Sequence, residues 1–239
     1  MYTEQLSRVY EFIYRGRGKD WAAEADEVAR LVRERYAGAA PARSLLDVAC
    51  GTGAHLEVFG TLFDRVEGLE MAKPMRELAR RRLPGTAVHE GDMRDFELGR
   101  RFAVVTCMFC SIAYVGALAE MRRAVAAMVR HLEPGGVLVI EPWWFPENFL
   151  DGYVACDTAR EDDLTVVRMS HSVRREGATH MEVRFLVGRP EGIESFTEFE
   201  VLSLFTRDEY LAAFADAGCP AEFLPGRLSG RGLFVGVKS

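Results

Sequence analysis

Residues 44–56 read SLLDVACGTGAHL, and this stretch divides itself by composition. Leu45, Leu46, Val48 and Ala49 make a short apolar run of strand length, Gly51-Thr52-Gly53 can turn tightly, and a helical pattern opens at His55. Strand, glycine turn and helix in that order predict a ligand-binding junction. Glycine adopts backbone angles that a Cβ forbids, and it lets a ligand approach the main chain closely. A dinucleotide fingerprint would want a third glycine three residues after Gly53, where this chain has Leu56. Asp47 instead precedes Gly51 in a D-x-x-x-G-x-G pattern, and Glu70 ends the segment 66–70 that follows.

The chain around this junction has 239 residues, enough for one α/β domain with an elaboration and a large core. Its formal net charge of −6 argues against broad affinity for nucleic acid. Residues 1–12, MYTEQLSRVYEF, lack a basic region followed by an apolar core, and no apolar run reaches membrane-spanning length, so a cytoplasmic protein is expected. Of the five cysteines, Cys107-x-x-Cys110 alone has pair spacing; it ends an apolar run without a second pair or a histidine cluster, so buried reduced thiols and no metal are expected.

Apolar Leu6, Val9, Tyr10 and Ile13 recur at helical spacing, the glycines in residues 16–19 break the helix, and Asp20 caps a second one. Residues 102–108, FAVVTCM, have the continuous apolarity of a central parallel strand buried on both faces. Ligands bind beyond the carboxyl ends of such strands, so the residues after Met108 should border the chemistry. A helix over 118–132, a turn at Pro134-Gly135-Gly136 and a strand over 137–140 follow. Residues 141–149, EPWWFPENF, come next; adjacent Trp143 and Trp144 should point opposite ways, leaving at least one in the core. Alternation over 166–172, 180–187 and 196–205, with turns at 176–177 and 190–192, predicts an antiparallel insertion. Thr206 caps a helix to about 217, ended by Gly218, and 221–224 with 232–237 make a final hairpin. The fold expected is therefore α/β: an N-terminal helical lid (1–40), a Rossmann-like core (41–150), an antiparallel β insertion (151–205) and a C-terminal completion of the core sheet (206–239).

The glycine loop, Glu70, the GDM at 91–93 and the L-x-P-G-G turn together resemble class I S-adenosylmethionine (SAM) methyltransferases. GRGKD (16–20), LLDVACGTG (45–53), GDMRDF (91–96), EPWWFPENF (141–149), SHSVR (170–174) and SGRGLFVG (229–236) resemble, more narrowly, the TDP-3-amino-3,6-dideoxyhexose N,N-dimethyltransferases of antibiotic sugar pathways. That resemblance implies SAM as cosubstrate, S-adenosylhomocysteine as product, a TDP-amino sugar methylated twice, and a homodimer. It implies cofactor contacts from Tyr10, Arg17, Lys19, Ala49, Gly51, Glu70, Met71, Asp92, Met93 and Met108. It puts Tyr2 and Tyr114 near the sugar amine. Tyr14, Trp144, Phe145 and Asn148 would meet the sugar, and Ser170, His171, Arg174 and Arg231 the nucleotide, arginine being suited to bidentate phosphate contact.

The absence of a metal triad favours a nitrogen acceptor, since a neutral amine attacks unaided whereas an alcohol needs its proton removed. A different small-molecule acceptor, such as a 4-amino sugar or a hydroxyl, and a silent SAM-binding partner subunit are the alternatives. The Asn-Pro-Pro-Tyr motif of nucleic-acid amino methyltransferases is absent.

Overall fold

The computed structural model describes residues 3–227 and 229–239. At its centre β1 (Ser44–Val48) and β4 (Phe102–Cys107) pair in parallel, every residue of both buried. Burial on both faces is why these strands read as unbroken apolar runs. Ser44 and Asp47 are the polar exceptions within β1, and the Asp47 carboxylate accepts the Thr106 hydroxyl at 2.7 Å. On one side β1 continues to β2 (Arg65–Glu70) and β3 (Val88–Glu90); on the other β4 continues to β5 (Leu132–Ile140). Antiparallel β11 (Leu233–Val237) and β10 (Ala221–Leu224) complete a sheet of seven strands in the order β10-β11-β5-β4-β1-β2-β3. The strand order reverses between β1 and β4, which opens a crevice at their carboxyl ends.

Helices cover both faces. Apolar residues of α2 (Trp21–Arg35), α3 (Ala54–Leu62) and α4 (Lys73–Arg82) pack with Leu45, Val104 and Val139. Those of α5 (Leu118–Arg130) and α6 (Arg207–Asp216) pack with Leu46, Val105 and Ile140. Thr206 caps α6 in a reciprocal capping box with Glu209, and Asp20 caps α2 through the Ala23 amide at 2.9 Å. The helix expected over 118–132 stops at Arg130. Leu132 already pairs with Phe102, so β5 begins ahead of the Pro134-Gly135-Gly136 turn and carries a register shift there.

The insertion is a four-stranded antiparallel sheet of β6 (Tyr153–Glu161), β7 (Leu164–Arg175), β8 (Ala178–Arg189) and β9 (Gly192–Ser203). Glu176 and Gly177, both at positive φ, form the two-residue turn whose twist suits a hairpin. β6 lies outside the segments that alternation predicts, because YVACDTARE alternates weakly: within it only Ala159 is fully buried. Helix α1 (Glu4–Gly16) lies against this sheet, with Leu6, Val9 and Ile13 packed among Val166, Met181, Phe185 and Leu202. The break after α1 brings Arg17 to Asp157 of β6 at 2.9 Å.

Candidate active site

The loop leaving β1 supplies the floor of a cavity of about 450 Å³ at the crevice. Ala49, Gly51 and Gly53 all take positive φ, of 57°, 59° and 78°. The two glycines serve different ends. A Cβ on Gly51 would meet nothing within 4 Å, so that glycine faces open space, whereas one on Gly53 would press on Ala79 of α4 at 3.1 Å. Gly53 therefore permits helix packing rather than ligand approach. Glu70, at the end of β2, is 7% exposed and holds the loop: its two oxygens accept the Gly51 amide at 2.9 Å and the Ala72 amide at 2.7 Å. Burial raises the Glu70 pKa, and these two amides oppose the rise.

Met71, Asp92, Met93 and Met108 line the same cavity, as do Leu6 and Tyr10 of α1. Asp92 is held by Arg94, whose Nε lies 2.9 and 3.0 Å from its two oxygens; that hydrogen bonding keeps the carboxyl below its usual range. The donor set suits SAM. Of its five carboxylates, Asp47, Glu70 and Asp92 can accept from hydroxyl, amino and cationic groups, and methionine and leucine side chains offer apolar contact to a purine.

A second cavity of about 360 Å³ adjoins the first, between β7, β8 and the segment after β5. It is rich in cations. Arg168 is 4% exposed, and the Nε atoms of Arg168 and Arg231 are buried without a hydrogen-bond partner among the described residues. Arg231 pairs with Glu141 at 2.5 Å, and Lys19 with Glu24 at 2.5 Å; His55 also contacts Glu24, at 2.8 Å. Phe109, Tyr114 and Glu200 border both cavities.

The structure distributes the expected site residues unevenly. Tyr14, Trp144, Asn148, Ser170 and Arg231 line the second cavity. Arg17 and Lys19, expected at the cofactor, also lie there, because the turn after α1 bends toward β6. Trp143 and Trp144 both line this cavity, their rings 6.4 Å apart and tilted at 62°; Trp143 also packs against the core between α1 and the insertion sheet, and its indole N–H donates to the buried Thr179 hydroxyl at 3.0 Å, the core role expected of one of the pair. Phe145, expected at the sugar, is instead buried in the core, 3% exposed and packed on Tyr210, Phe223 and Phe234. His171 is exposed while Ser170 and Ser172 turn inward, as alternation on β7 requires. Arg174 stays outside the cavity; its guanidinium bonds the Pro146 carbonyl and lies 5.6 Å from the Phe149 ring. Tyr2 lies outside the described residues. Cys107 and Cys110 are buried free thiols, and Cys156 is exposed.

Three residues went unnoticed in the sequence. Arg168 shares the inward parity of Ser170 on β7, a signal that was available. Glu141 opens the EPWWFPENF stretch, but its arginine partner is 90 residues away. Glu200 sits among alternating glutamates on β9 that read as a solvated face.

A family model described as a methyltransferase domain matches residues 45–136. A dTDP-4-amino-2,3,4,6-tetradeoxy-D-glucose N,N-dimethyltransferase of Saccharopolyspora spinosa is 52% identical over 100% of this chain and 95% of its own length. A dTDP-3-amino-3,4,6-trideoxy-alpha-D-glucopyranose N,N-dimethyltransferase of Streptomyces venezuelae is 52% identical, covering 99% of each chain. The solved structure of SAM-bound CalS10, an amino pentose methyltransferase from Micromonospora echinaspora involved in calicheamicin biosynthesis, matches with a TM-score of 0.90 and 55% identity over 97% of each chain. With full-length identity of this order and a shared fold, the chain belongs to the dTDP-amino sugar N,N-dimethyltransferases of the class I methyltransferase fold.

Proposed function

We propose that the protein transfers methyl groups from SAM, twice, to the amine of a TDP-linked 3-amino deoxyhexose in antibiotic sugar biosynthesis. One observation carries the reading: the two cavities, one suited to SAM and one to an anionic sugar nucleotide, share a border at Phe109, Tyr114 and Glu200. When bound, SAM supplies an electrophilic methyl group on a sulfonium. What remains for the protein is alignment and exclusion of water. Glu70 and the Gly51 loop would hold the ribose and amino-acid ends, and Asp92 and Met93 the adenine. Arg231, Arg168 and the Arg17 and Lys19 turn would take the diphosphate, where partnerless buried guanidinium nitrogens can be satisfied by phosphate oxygens. Trp143 and Trp144 would wall the sugar.

The experiment is incubation with SAM and a panel of TDP-amino sugars, 3-amino and 4-amino isomers together, read by mass spectrometry. A two-methyl product from a 3-amino sugar supports the reading; the same product from 4-amino sugars alone moves the acceptor, and no product from any of them removes it.

The same reading has the protein working in the cytoplasm as a homodimer. No described helix is long and apolar enough to cross a membrane. For the dimer, the support is apolar exposure on the insertion sheet, where Met169 and Leu186 are each about half exposed, as is Val201, and Phe199 is 73% exposed, the last two also lining the first cavity. Such exposure favours burial against a second copy. Light scattering of Phe199→Glu at half the wild-type mass tests it.

A further inference from the structure

Glu200 stands at the meeting point of the two cavities, and neither cosubstrate nor sugar binding as argued above uses it. Its position is fixed by β9, where it pairs with Met181 of β8, itself a lining residue of the second cavity. The Tyr114 hydroxyl, from the turn that follows β4, donates to its carboxylate. The charges of Arg168 of β7 and Glu198 of β9 act on it, and it acts in turn on Tyr14 of α1. Burial keeps the carboxyl above its ordinary pKa, opposed by Tyr114 and Arg168 and reinforced by Glu198. Tyr114 is 38% exposed, so the pair links a carboxylate inside the site to bulk water.

A base is needed at this point. An alkylamine, like the lysine side chain, is protonated at neutral pH, and only its neutral form carries the lone pair that attacks carbon. Each transfer also leaves an alkylammonium, which must lose a proton before a second methyl can be accepted.

We propose that Glu200 is the proton acceptor for the sugar amine in both methylations, with Tyr114 positioning its carboxylate. The assignment rests on the amino-sugar reading above. In each round the ammonium gives one proton to the Glu200 carboxylate, and the freed lone pair forms the new N–C bond. The S–C bond breaks with its electron pair retained on sulfur as a neutral thioether, and the Glu200 proton leaves to water past Tyr114. The negative charge of Glu200 also attracts the ammonium form into the site, which a hydroxyl in the same place would not feel.

The test compares wild type, Glu200→Gln and Glu200→Asp in kinetics and in calorimetric binding of two ligands, a TDP-3-amino-3,6-dideoxyhexose and its 3-hydroxy counterpart. Glu200→Gln is expected to lower kcat about 10²- to 10⁴-fold, the range for losing a positioned base. It should weaken amine binding about tenfold and leave hydroxyl binding unchanged, which also shows that the fold and nucleotide site survive. Glu200→Asp should recover part of kcat, and raising the pH should recover part of it in Glu200→Gln as more free amine becomes available. Wild-type kcat in Glu200→Gln, or equal weakening of both ligands, overturns the assignment while the amino-sugar reading stands. A wild-type protein that methylates no TDP-amino sugar overturns both.

Discussion

Glu141 and Arg231 meet at 2.5 Å with side chains only 1% and 13% exposed, tying the end of β5 to the loop that enters β11. The second oxygen of Glu141 accepts the Phe109 amide at 2.8 Å, so one carboxylate joins the segments that follow β4 and β5 with the loop before β11. Burial alone would raise the Glu141 pKa; Arg231 and Lys19 outweigh it and hold the carboxyl below its ordinary value.

Arg231→Ala is therefore expected to do more than weaken sugar-nucleotide binding. It leaves Glu141 buried without its main partner, a loss of about 3 kcal/mol for a broken buried pair. In a chain of this size that corresponds to a fall of roughly 6–12 °C in Tm. Glu141→Gln added to Arg231→Ala should restore part of the stability but none of the affinity for nucleotide sugar, since the uncompensated charge is gone while the phosphate contact is still missing. The stability lent by a depressed carboxyl is full above its unfolded value near 4.5 and is lost as pH falls through the lower folded one. Acid unfolding of wild type and Arg231→Ala should accordingly converge as pH falls below 4.5 and through the lower folded value. Curves that stay separated by the same amount at all pH values would show that the pair contributes nothing.

Asp47 gives the opposite pH dependence. Burial pushes its carboxyl from 3.8 up to about 6, against the opposing pull of His55 and the Thr106 hydroxyl. A group whose pKa is raised by folding contributes stability that is complete below its unfolded value and is lost as pH rises through its folded value. Wild type should thus lose about 3 kcal/mol from this residue between pH 4 and 6, at about 1.4 kcal/mol per unit. Asp47→Asn keeps an oxygen for Thr106 and cannot ionise. The stability difference between the two proteins, followed by denaturant titration from pH 4 to 7, should shift in favour of the variant by an amount of that order. A difference that does not vary with pH would show that Asp47 titrates as an exposed acid does.

Glu70 holds the glycine loop by two amides and lines the larger cavity, so its removal should act on the cosubstrate before the sugar. Glu70→Ala is expected to weaken SAM binding by roughly 1.5–3 kcal/mol, the cost of losing a charged hydrogen-bonding group. Calorimetry should read that as an increase in Kd of about 10- to 150-fold. An unchanged Kd would remove the ribose from this end of the cavity.

How much of this was legible depended on how far apart in sequence the cause and its consequence lie. The β1 loop, Glu70 and the Asp20 and Thr206 caps are local patterns, and each appears where the residues put it. The insertion strands showed themselves through alternation, except β6, where one face packs only through Ala159. What sequence could not carry was direction. Arg17 and Lys19 are cations on a glycine-flexed turn in either reading; the Asp157 carboxylate on β6, about 140 residues on, decides which cavity they enter. Trp143 packs on the core as one of the pair should, yet it also shares a cavity with Trp144, because the chain leaves regular strand geometry after Ile140. Phe145 then turned into the core against α6 and β11 residues that no local pattern announces. Glu200 was hidden by its neighbours. Alternating glutamates describe a solvated strand until helix α1 and the turn after β4 cover one face of it.

Helix α1 and the insertion sheet approach each other closely at Gly16. A Cβ built on Gly16, the final residue of α1, would lie 2.6 Å from the Cβ of Ala159 on β6. Real side chains do not approach so closely, so any larger residue must push the helix end away from the sheet. Helix α1 lines both cavities, through Leu6 and Tyr10 on one side and Tyr14 on the other. Gly16→Val should cost about 1–3 kcal/mol by overpacking. It should also weaken SAM and sugar nucleotide together, unlike Glu70→Ala, which acts on SAM, or Glu200→Gln, which acts on the amine. Pairing Gly16→Val with Ala159→Gly removes the obstructing methyl and should recover both affinities. Recovery of stability without recovery of binding would mean that the end of α1 does not set the geometry of the cavities.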